Sequence, residues 1–396
     1  MTTVEQSYAP RLYPRLGILA IGLFIVGTNG FVIAGLLPSI ARGLGVRASD
    51  VSFSITDYAI VVAIASPVVS IVFARISRTM LMSVGLVLIA IGTVIAAAAP
   101  NLEVFTGGRI VAAFGGAALV PAATAAAATL ASPERRGRAI AFVAVGFTAA
   151  TAFGAPLGTA LAGIGGWRVP LFGLAGLAAV LAATVAVFVR HIPLGQAISA
   201  RRRFATLADT RILFALVATL LVVSGFNVVY IFSSAVTAQA TGNSPGLLAL
   251  LLLVFGVGGI AGNVVAGPLT DRFGNRSVAI IVLVAMAVSL GLLPTAAGSL
   301  AGTAILFGLW GVMANAIALP IQHRLVQVNP EAAGVALSWY STALYGGIAI
   351  APPLGAVALG LGNAQLVPEI GAVAVVLALV VLLLGYFTVR TARTPA

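Results

Sequence analysis

Two ionisable side chains lie inside apolar runs of the sequence, where they could bind a proton or hold a charge. Asp57 lies in the stretch SITDYAIVVA and Arg109 in the stretch EVFTGGRIVAAFGG. An unpaired charge in hydrocarbon costs roughly 2.5 kcal/mol or more, so Arg109 is expected to have a buried partner or a wet cavity. A carboxylate paired with an arginine loses that pair when it is protonated, which can release a conformational change. Asp57 and Arg109 are therefore candidates for proton coupling.

Simpler roles remain open for both residues. Asp57 could belong to a fixed structural ion pair or be wet from outside, and Arg109 could extend to the outer interface along its own side chain. The chain has no cysteine, only nine acidic residues, and two distant histidines, His191 and His323. These cannot assemble a hydrolytic triad, a pair of catalytic carboxylates or a set of metal ligands, so we expect neither an enzyme nor a cofactor or metal.

The elements that position these residues are membrane-spanning helices. Of 396 residues, 61% are hydrophobic and 8% charged, and the mean hydropathy is +1.15. Apolar stretches of about 20 residues recur along the whole length, and each can cross a bilayer as a helix. We predict an all-α membrane protein with twelve spans at residues 16–40, 51–73, 79–99, 104–130, 138–163, 169–190, 212–238, 246–269, 277–296, 300–322, 333–360 and 367–389.

The arginines indicate how these spans are oriented. With both termini in the cytoplasm, seventeen arginines fall on the inside, Arg42, Arg47 and Arg168 on the outside, and Arg109 within a span, which accounts for all 21 basic residues. An excess of positive charge marks cytoplasmic loops, so this orientation is predicted. The basic residues are scattered among apolar spans rather than gathered with aromatics, which argues against nucleic acid as a partner.

The two halves of the chain repeat each other. Arg75 and Arg272, Gly137 and Gly334, and the PLG triplets at 156–158 and 353–355 are all 197 residues apart. We therefore predict an N-terminal six-helix bundle (1–190), a cytoplasmic linker (191–211) and a C-terminal six-helix bundle (212–396). A repeat of this kind is typical of transporters whose bundles rock about a central site.

A loop after the eighth span connects the chain to a known family. GPLTDRFGNR resembles the loop motif of the major facilitator superfamily, and the resemblance extends over the whole chain. In the first half Ser70 and Ala74 replace the glycine and aspartate of that motif. Gating roles are implied for the motif residues of both loops, which are Arg75, Arg78, Gly267, Asp271, Arg272, Gly274 and Arg276.

Two further motifs point to the drug:proton antiporter branch of this superfamily. In the fifth span GFTAATAFGAPLG is close to its antiporter motif, which the family associates with export, and Gly154, Pro156 and Gly158 carry the resemblance. Small residues there let helices approach, and proline bends the helix. The first span, GTNGFVIAGLLPSIA, is similar to the sugar, purine and chloramphenicol exporters, but Gly30 stands where that group usually has glutamate.

The resemblance also implies where the substrate binds. Spans one, four, seven and ten line the cavity in this superfamily, and spans two and four are neighbours, which would bring Asp57 near Arg109. A cavity with one acid and several aromatics and amides would suit neutral, moderately hydrophobic molecules. The substrate candidates are Asn29, Phe31, Asn227, Tyr230, Trp310 and Asn315.

The sequence thus predicts a monomeric transporter in the bacterial inner membrane that exports a small organic molecule by alternating access, in exchange for protons. Its partners would be the substrate, protons and the lipid bilayer. Export of sugars or nucleosides is the main alternative. An uptake symporter is less favoured, and a sensor with the transporter fold stays open.

Overall fold

The apolar runs of the sequence form helices long enough to cross a membrane. The computed structural model describes residues 12–73, 75–132, 135–190, 192 and 204–388, the side chain of Glu331 excepted. Eleven helices in this part of the chain have the length and apolarity of a span, and the longest, Pro245–Ala296, holds two spans. It is broken at Gly274, whose φ of 79° lies in a region that L side chains rarely adopt. The prediction of twelve spans is confirmed.

The spans are numbered in chain order. They are α1 (Leu12–Leu44), α2 (Ala48–Val72), α3 (Arg78–Ala98), α4 (Leu102–Leu130), α5 (Arg136–Gly165), α6 (Arg168–Phe188), α7 (Thr210–Ile231), α8 (245–273), α9 (275–292), α10 (Leu300–Val328), α11 (Ala333–Gly360) and α12 (Leu366–Phe387). The largest departures from the sequence prediction are α7, which ends at Ile231 instead of residue 238, and α10, which continues about one turn and a half beyond residue 322. Ala74, Pro133, Glu134 and most of the predicted linker lie outside the described residues.

Side-chain caps set several of the helix starts. Asn101 accepts a hydrogen bond from the Val104 amide at the start of α4, and Ser299 accepts one from Gly302 at the start of α10. At the start of α7, Asp209 caps the helix and pairs with Arg211 at 2.7 Å. The guanidinium of Arg211 holds the pKa of Asp209 below its usual value. These caps satisfy amides that have no partner within the helix.

The fifth span is not a regular α-helix. It begins as an α-helix at Arg136, passes through a π-helical turn at Ala150–Gly154, and resumes as an α-helix from Ala155. Pro156 follows the turn directly and cannot donate a backbone hydrogen bond. This turn lies near the middle of the bundle, and it widens the helix where other spans pack against it.

The apolar interior divides unevenly between the two ends of the bundle. We call the end where α1 begins and α12 ends the terminal end, and the other the opposite end. One buried cluster, which includes Leu19, Met82 and Ala126, draws on α1, α3, α4, α5 and α6 of the first half and lies toward the terminal end. A larger cluster joins the opposite ends of α1 to α6 with α7 to α12. The two halves therefore share one core only toward the opposite end.

Candidate functional site

A small cavity lies between the two halves, near the middle of the spans. Five helices line it: α1, α2, α5, α7 and α11. Its wall is mostly apolar, with polar atoms supplied by one amide and three tyrosines. The lining residues are Val26, Gly27, Gly30, Phe31, Ala34, Ile55, Tyr58, Phe147, Asn227, Tyr230, Ile231, Tyr345 and Ile348.

A chain of aromatic rings crosses this cavity from one half to the other. The ring of Phe31 packs edge-on against Phe147 and against Tyr230, with centroids 5.6 Å apart in each pair. Tyr230 then contacts Phe255 at 5.1 Å, and Phe255 contacts Trp310 at 4.4 Å. Because edge-on and tilted pairs are favourable arrangements, the chain fixes the relative position of α1 and α7.

Arg109 is buried behind the cavity wall. Only 2% of the residue is exposed, and its Nη1 donates to the backbone carbonyl and the side-chain Oδ1 of Asn29, both at 2.5 Å. The Asn29 amide in turn donates to Thr93 at 2.7 Å. The guanidinium also lies 4.3 Å from the ring centre of Tyr58, a cation–π contact. The charge is thus stabilised by an amide, a carbonyl and a ring, and its Nε and Nη2 have no hydrogen-bond partner among the described residues.

The structure does not bring Asp57 and Arg109 into the ion pair that the sequence suggested. The ion pairs among described residues are Arg47 with Asp50 and Arg211 with Asp209. Helical spacing places Asp57 on the face of α2 that carries Ile60 and Ile64, which are 43% and 62% exposed. The next residue, Tyr58, takes the inner face and the contact with Arg109, because successive residues point about 100° apart.

The predicted substrate residues divide into two groups. Phe31, Asn227 and Tyr230 line the cavity. Asn29 binds Arg109 instead, Trp310 is fully buried between Phe255 and Phe307, and the amide of Asn315 donates to Gly311 of its own helix. These last three are not among the lining residues in this conformation.

Sequence reasoning missed several residues of the cavity wall. The substrate candidates predicted from the sequence do not include Tyr58, Phe147, Tyr345 or Ile348. Tyr58 directly follows Asp57 on α2. Gly30 also faces the cavity, and a Cβ added there would meet no atom within 4 Å. The missing glutamate of the resembled exporters would therefore have had room at this position.

The glycines of the fifth-span motif form the contact between α5 and α1. A methyl group at Gly154 would collide with Thr28, and one at Gly158 would collide with Val32. On the facing helix, Gly27 allows the same close approach to Ala150. The π-helical turn is also where α8 of the other half approaches, since Gly256 packs directly against Ala152. Gly154 and Gly158 thus lie at a junction of α1, α5 and α8, and they do not line the cavity.

The loop motifs lie at the terminal end. Asp271 and Arg272 are exposed, and Asp271 makes no ion pair with a described residue. Gly274 makes the break between α8 and α9, while Arg276 lies over the rings of Tyr386 and Phe387. In the first half Arg75 is exposed, and Arg78 donates to the Ala125 carbonyl at 2.6 Å and to Thr129.

A polar cluster between the loop motif and α12 was not predicted. Asn275 donates to Gln327 at 2.8 Å and lies 3.3 Å from His323, and the hydroxyl of Tyr386 donates to Asn275 at 2.6 Å. Arg324 lies 3.6 Å above the ring of Tyr386 and donates to the Gly385 carbonyl. The cluster ties α9, α10 and α12 together at the terminal end of the second half.

The contacts between the halves run from the middle of the bundle to the opposite end. Thr148 accepts a hydrogen bond from Asn263 at 3.0 Å near the middle, and Thr56 donates to the Ala349 carbonyl at 2.8 Å farther out. Near the opposite end, a Cβ at Gly163 would lie 3.4 Å from that of Pro245. Together with the shared core, these contacts close the opposite end of the cavity.

Comparison with known proteins agrees with this architecture. The family model described as Major Facilitator Superfamily matches residues 19–238 and 214–396. The uncharacterized MFS-type transporter YbcL of Bacillus subtilis (strain 168) is 30% identical over 93% of this chain and 95% of its own length. The inner membrane transport protein YdhP of Escherichia coli (strain K12) is 29% identical over 94% of this chain and 96% of its own length.

Two solved structures share the fold. A mutant of the nucleoside transporter NupG superposes with a TM-score of 0.75 over 95% of this chain and all of its own, at 14% identity. A bacterial homolog of the human lysosomal transporter Spinster, in an inward-facing and unoccupied conformation, gives a TM-score of 0.70 over 95% of this chain and 96% of its own, at 17% identity. At such identities the likeness concerns the fold alone.

Proposed function

Because the chain belongs to the Major Facilitator Superfamily and is a multi-pass membrane transporter rather than an enzyme, we propose that it exports small organic molecules from the bacterial cytoplasm by alternating access. The observation that carries this proposal is the aromatic-lined cavity between the two halves, closed toward the opposite end. A site of this kind accepts a hydrophobic ring and releases it when the halves separate on the other side.

The arginine distribution supports this direction. With the terminal end in the cytoplasm, as the excess of arginine there predicts, this conformation would load its substrate from inside. The junction of α1, α5 and α8 supports export, because the glycines that form it belong to a motif that resembles the one associated with exporters. The π-helical turn at this junction gives the halves a locally irregular surface on which to rotate.

Proton exchange is the coupling that we propose, with Asp57 as the proton-binding group. Among the described residues it is the acid farthest from the end of a span, and it has no ion pair to hold its charge in place. A carboxylate at that depth carries a charge that the bilayer disfavours, which suits it to bind a proton during the cycle. Protonation would remove a charge that α2 must otherwise keep near solvent as it moves.

Transport is tested first by a growth screen and then in vesicles. The gene is expressed in an efflux-deficient bacterial host, and the inhibitory concentrations of drugs, sugar analogues and nucleoside analogues are measured. The compound with the largest increase is then radiolabelled and supplied to everted vesicles. We expect uptake that rises when the vesicle interior is acidified and falls with an uncoupler. Uptake that ignores both treatments would rule out proton exchange.

Sidedness is tested independently with single cysteines, for which the cysteine-free chain gives a clean background. Gly137 is exposed at the terminal end and Arg42 at the opposite end. In intact cells a membrane-impermeant maleimide should label Arg42→Cys and spare Gly137→Cys, and everted vesicles should reverse the pattern. Labelling of Gly137→Cys from outside would overturn the orientation and with it the export direction.

Export of sugars or nucleosides is the second candidate. It is favoured by the amide of Asn227 and the three tyrosines, which could bind hydroxyl groups. The NupG structure belongs to a nucleoside transporter, and its likeness to this chain is one of fold. The growth screen separates the two candidates, since nucleoside analogues and drugs are tested together. Counterflow in proteoliposomes also separates any transporter from a sensor, which binds without exchange.

A further inference from the structure

The polar groups of the cavity are three tyrosine hydroxyls, which can donate as well as accept hydrogen bonds, and the side-chain amide of Asn227. The buried hydroxyls of Tyr58 and Tyr230 have no partner among the described residues. The amide nitrogen of Asn227 is already bound to the Val223 carbonyl at 3.0 Å. No acidic side chain is present among the lining residues. A molecule that enters the cavity therefore meets two unused tyrosine hydroxyls that can donate to it, and no fixed negative charge.

A positive charge lies directly behind one of these hydroxyls. Arg109 lies 4.3 Å from the ring centre of Tyr58, and no described acid is within ion-pair distance of it. A cation on the ring face draws electron density from the ring and makes the phenol a stronger donor. In surroundings of low dielectric the same charge repels another cation over a distance of several ångströms.

The cavity also has a preferred shape. Five of its lining side chains are aromatic: Phe31, Tyr58, Phe147, Tyr230 and Tyr345. Phe31 is packed edge-on between Phe147 and Tyr230, so planar ring surfaces from both halves meet around the cavity. Ring faces of this kind bind flat aromatic groups by stacking and edge contacts.

We propose that the cavity binds aromatic molecules that carry a hydrogen-bond acceptor and no positive charge. Tyr58 and Tyr230 donate to the acceptor, and Arg109 acts through Tyr58 to exclude organic cations. Arg109 is thus a specificity-determining residue that does not touch the substrate. This inference rests on the proposed function, because it names the class of molecule that the same cavity transports.

The test measures binding to purified protein in detergent by equilibrium dialysis with four naphthalene probes of one size. These are 2-acetylnaphthalene (neutral acceptor), 2-naphthoate (anionic acceptor), 2-ethylnaphthalene (no acceptor) and 2-naphthylmethylammonium (cation). We expect the two acceptor probes to bind at least about fivefold more tightly than the ethyl compound, as one net hydrogen bond allows. The cation should bind most weakly. A cation that binds as tightly as the acetyl compound would overturn the proposal.

Two sets of variants assign the effect to residues. Tyr58→Phe keeps the ring under Arg109 and removes the hydroxyl, so it should weaken the acceptor probes about fivefold and leave the ethyl compound unchanged. Gly30→Glu places a carboxylate in open space on the cavity wall, and Gly30→Gln is its neutral match. Only the glutamate variant should admit the cation. Equal binding of all probes to Tyr58→Phe and the parent protein would remove Tyr58 from the site.

Failure of this inference can be told apart from failure of the proposed function. Export in everted vesicles without the expected order of probe affinities would overturn the substrate class and leave export standing. The expected order of affinities in a protein that moves no compound in proteoliposomes would instead overturn transport and keep the binding site.

Discussion

At the scale of single residues, the central feature is an arginine without an acid. A buried guanidinium is expected to have a carboxylate partner, yet Arg109 is held by the carbonyl and amide of Asn29 and by the ring of Tyr58. Hydrogen bonds to a charged group contribute about 1.5–3 kcal/mol each, so two of them with a cation–π contact offset much of the burial cost.

Replacement of Asn29 should therefore destabilise the protein. Asn29→Leu keeps the volume and removes the side-chain acceptor, and we expect it to lower the free energy of unfolding by roughly 2–3 kcal/mol. Asn315→Leu is the matched control, because the amide of Asn315 donates only within α10 and should cost about 1 kcal/mol. Denaturant unfolding in detergent micelles measures both. An equal decrease in the free energy of unfolding in the two variants would mean that the contact between Asn29 and Arg109 contributes no more than an ordinary hydrogen bond.

Asp57 carries a second prediction at this scale. Asp57→Asn removes the group that we propose to bind the proton, so substrate uptake driven by a pH gradient in everted vesicles should fall to background. Exchange of substrate without a gradient should persist, because Asp57 does not line the cavity. Asp50→Asn, which removes a partly exposed acid two turns earlier on α2, is the control and should retain coupled uptake. Normal coupled uptake in Asp57→Asn would limit this acid to a structural role.

The sequence could locate these residues but could not assign their contacts. The depth of Arg109 follows from counting along an apolar run, whereas its acceptors lie on α1, 80 residues away, and depend on packing. The sequence likewise did not show whether Asp57 lies on the inner or the outer face of α2. Both the lipid side and the core side of α2 are apolar, so hydrophobic periodicity gives no signal for which face is inside.

At the scale of elements, the fifth span determines how the two halves meet. Its glycines pack against α1, and its π-helical turn packs against α8. Sequence reasoning predicted close packing and a bend at Pro156, since small residues and proline act locally. The π-helical turn before the proline could not be predicted, because the register of backbone hydrogen bonds depends on the neighbouring helices.

A methyl group in this contact should be costly. In Gly154→Ala the new Cβ overlaps Thr28, so we expect a loss of about 1–3 kcal/mol in stability and slower transport. The double variant Gly154→Ala/Thr28→Ala removes most of the overlapping atoms and should recover part of the loss. Gly176→Ala on α6, where a Cβ meets open space, is the control and should be neutral or stabilising. A double variant no better than the single one would place the strain elsewhere.

At the scale of the whole molecule, the two halves are joined from the middle of the bundle to one end. Twelve spans and their repeat could be predicted from the sequence, because span length is fixed by bilayer thickness and the repeat is visible as a constant offset. The closed end could not be predicted, since a sequence compatible with two conformations does not state which one is adopted.

The closed end can be held shut by an engineered disulfide. A Cβ at Gly163 would lie 3.4 Å from the Cβ of Pro245, close to the separation of a disulfide. We expect Gly163→Cys/Pro245→Cys to cross-link under mild oxidation and to stop transport, with recovery on reduction. Each single variant should transport normally under oxidant. Full cross-linking with unchanged transport would show that these ends need not separate during the cycle.

The chain of aromatic rings through the cavity ends at Trp310, whose fluorescence can report on the conformation of the protein. Trp310 is fully buried, its Nε1 has no partner among the described residues, and it is connected to the other half through Phe255, Tyr230 and Phe31. When the halves part at the opposite end, the contact between Phe31 and Tyr230 opens and water approaches the indole. Its emission should then shift to longer wavelength. In a protein with Trp167 and Trp339 replaced by phenylalanine, the emission wavelength of Trp310 would follow each transport cycle without an attached dye.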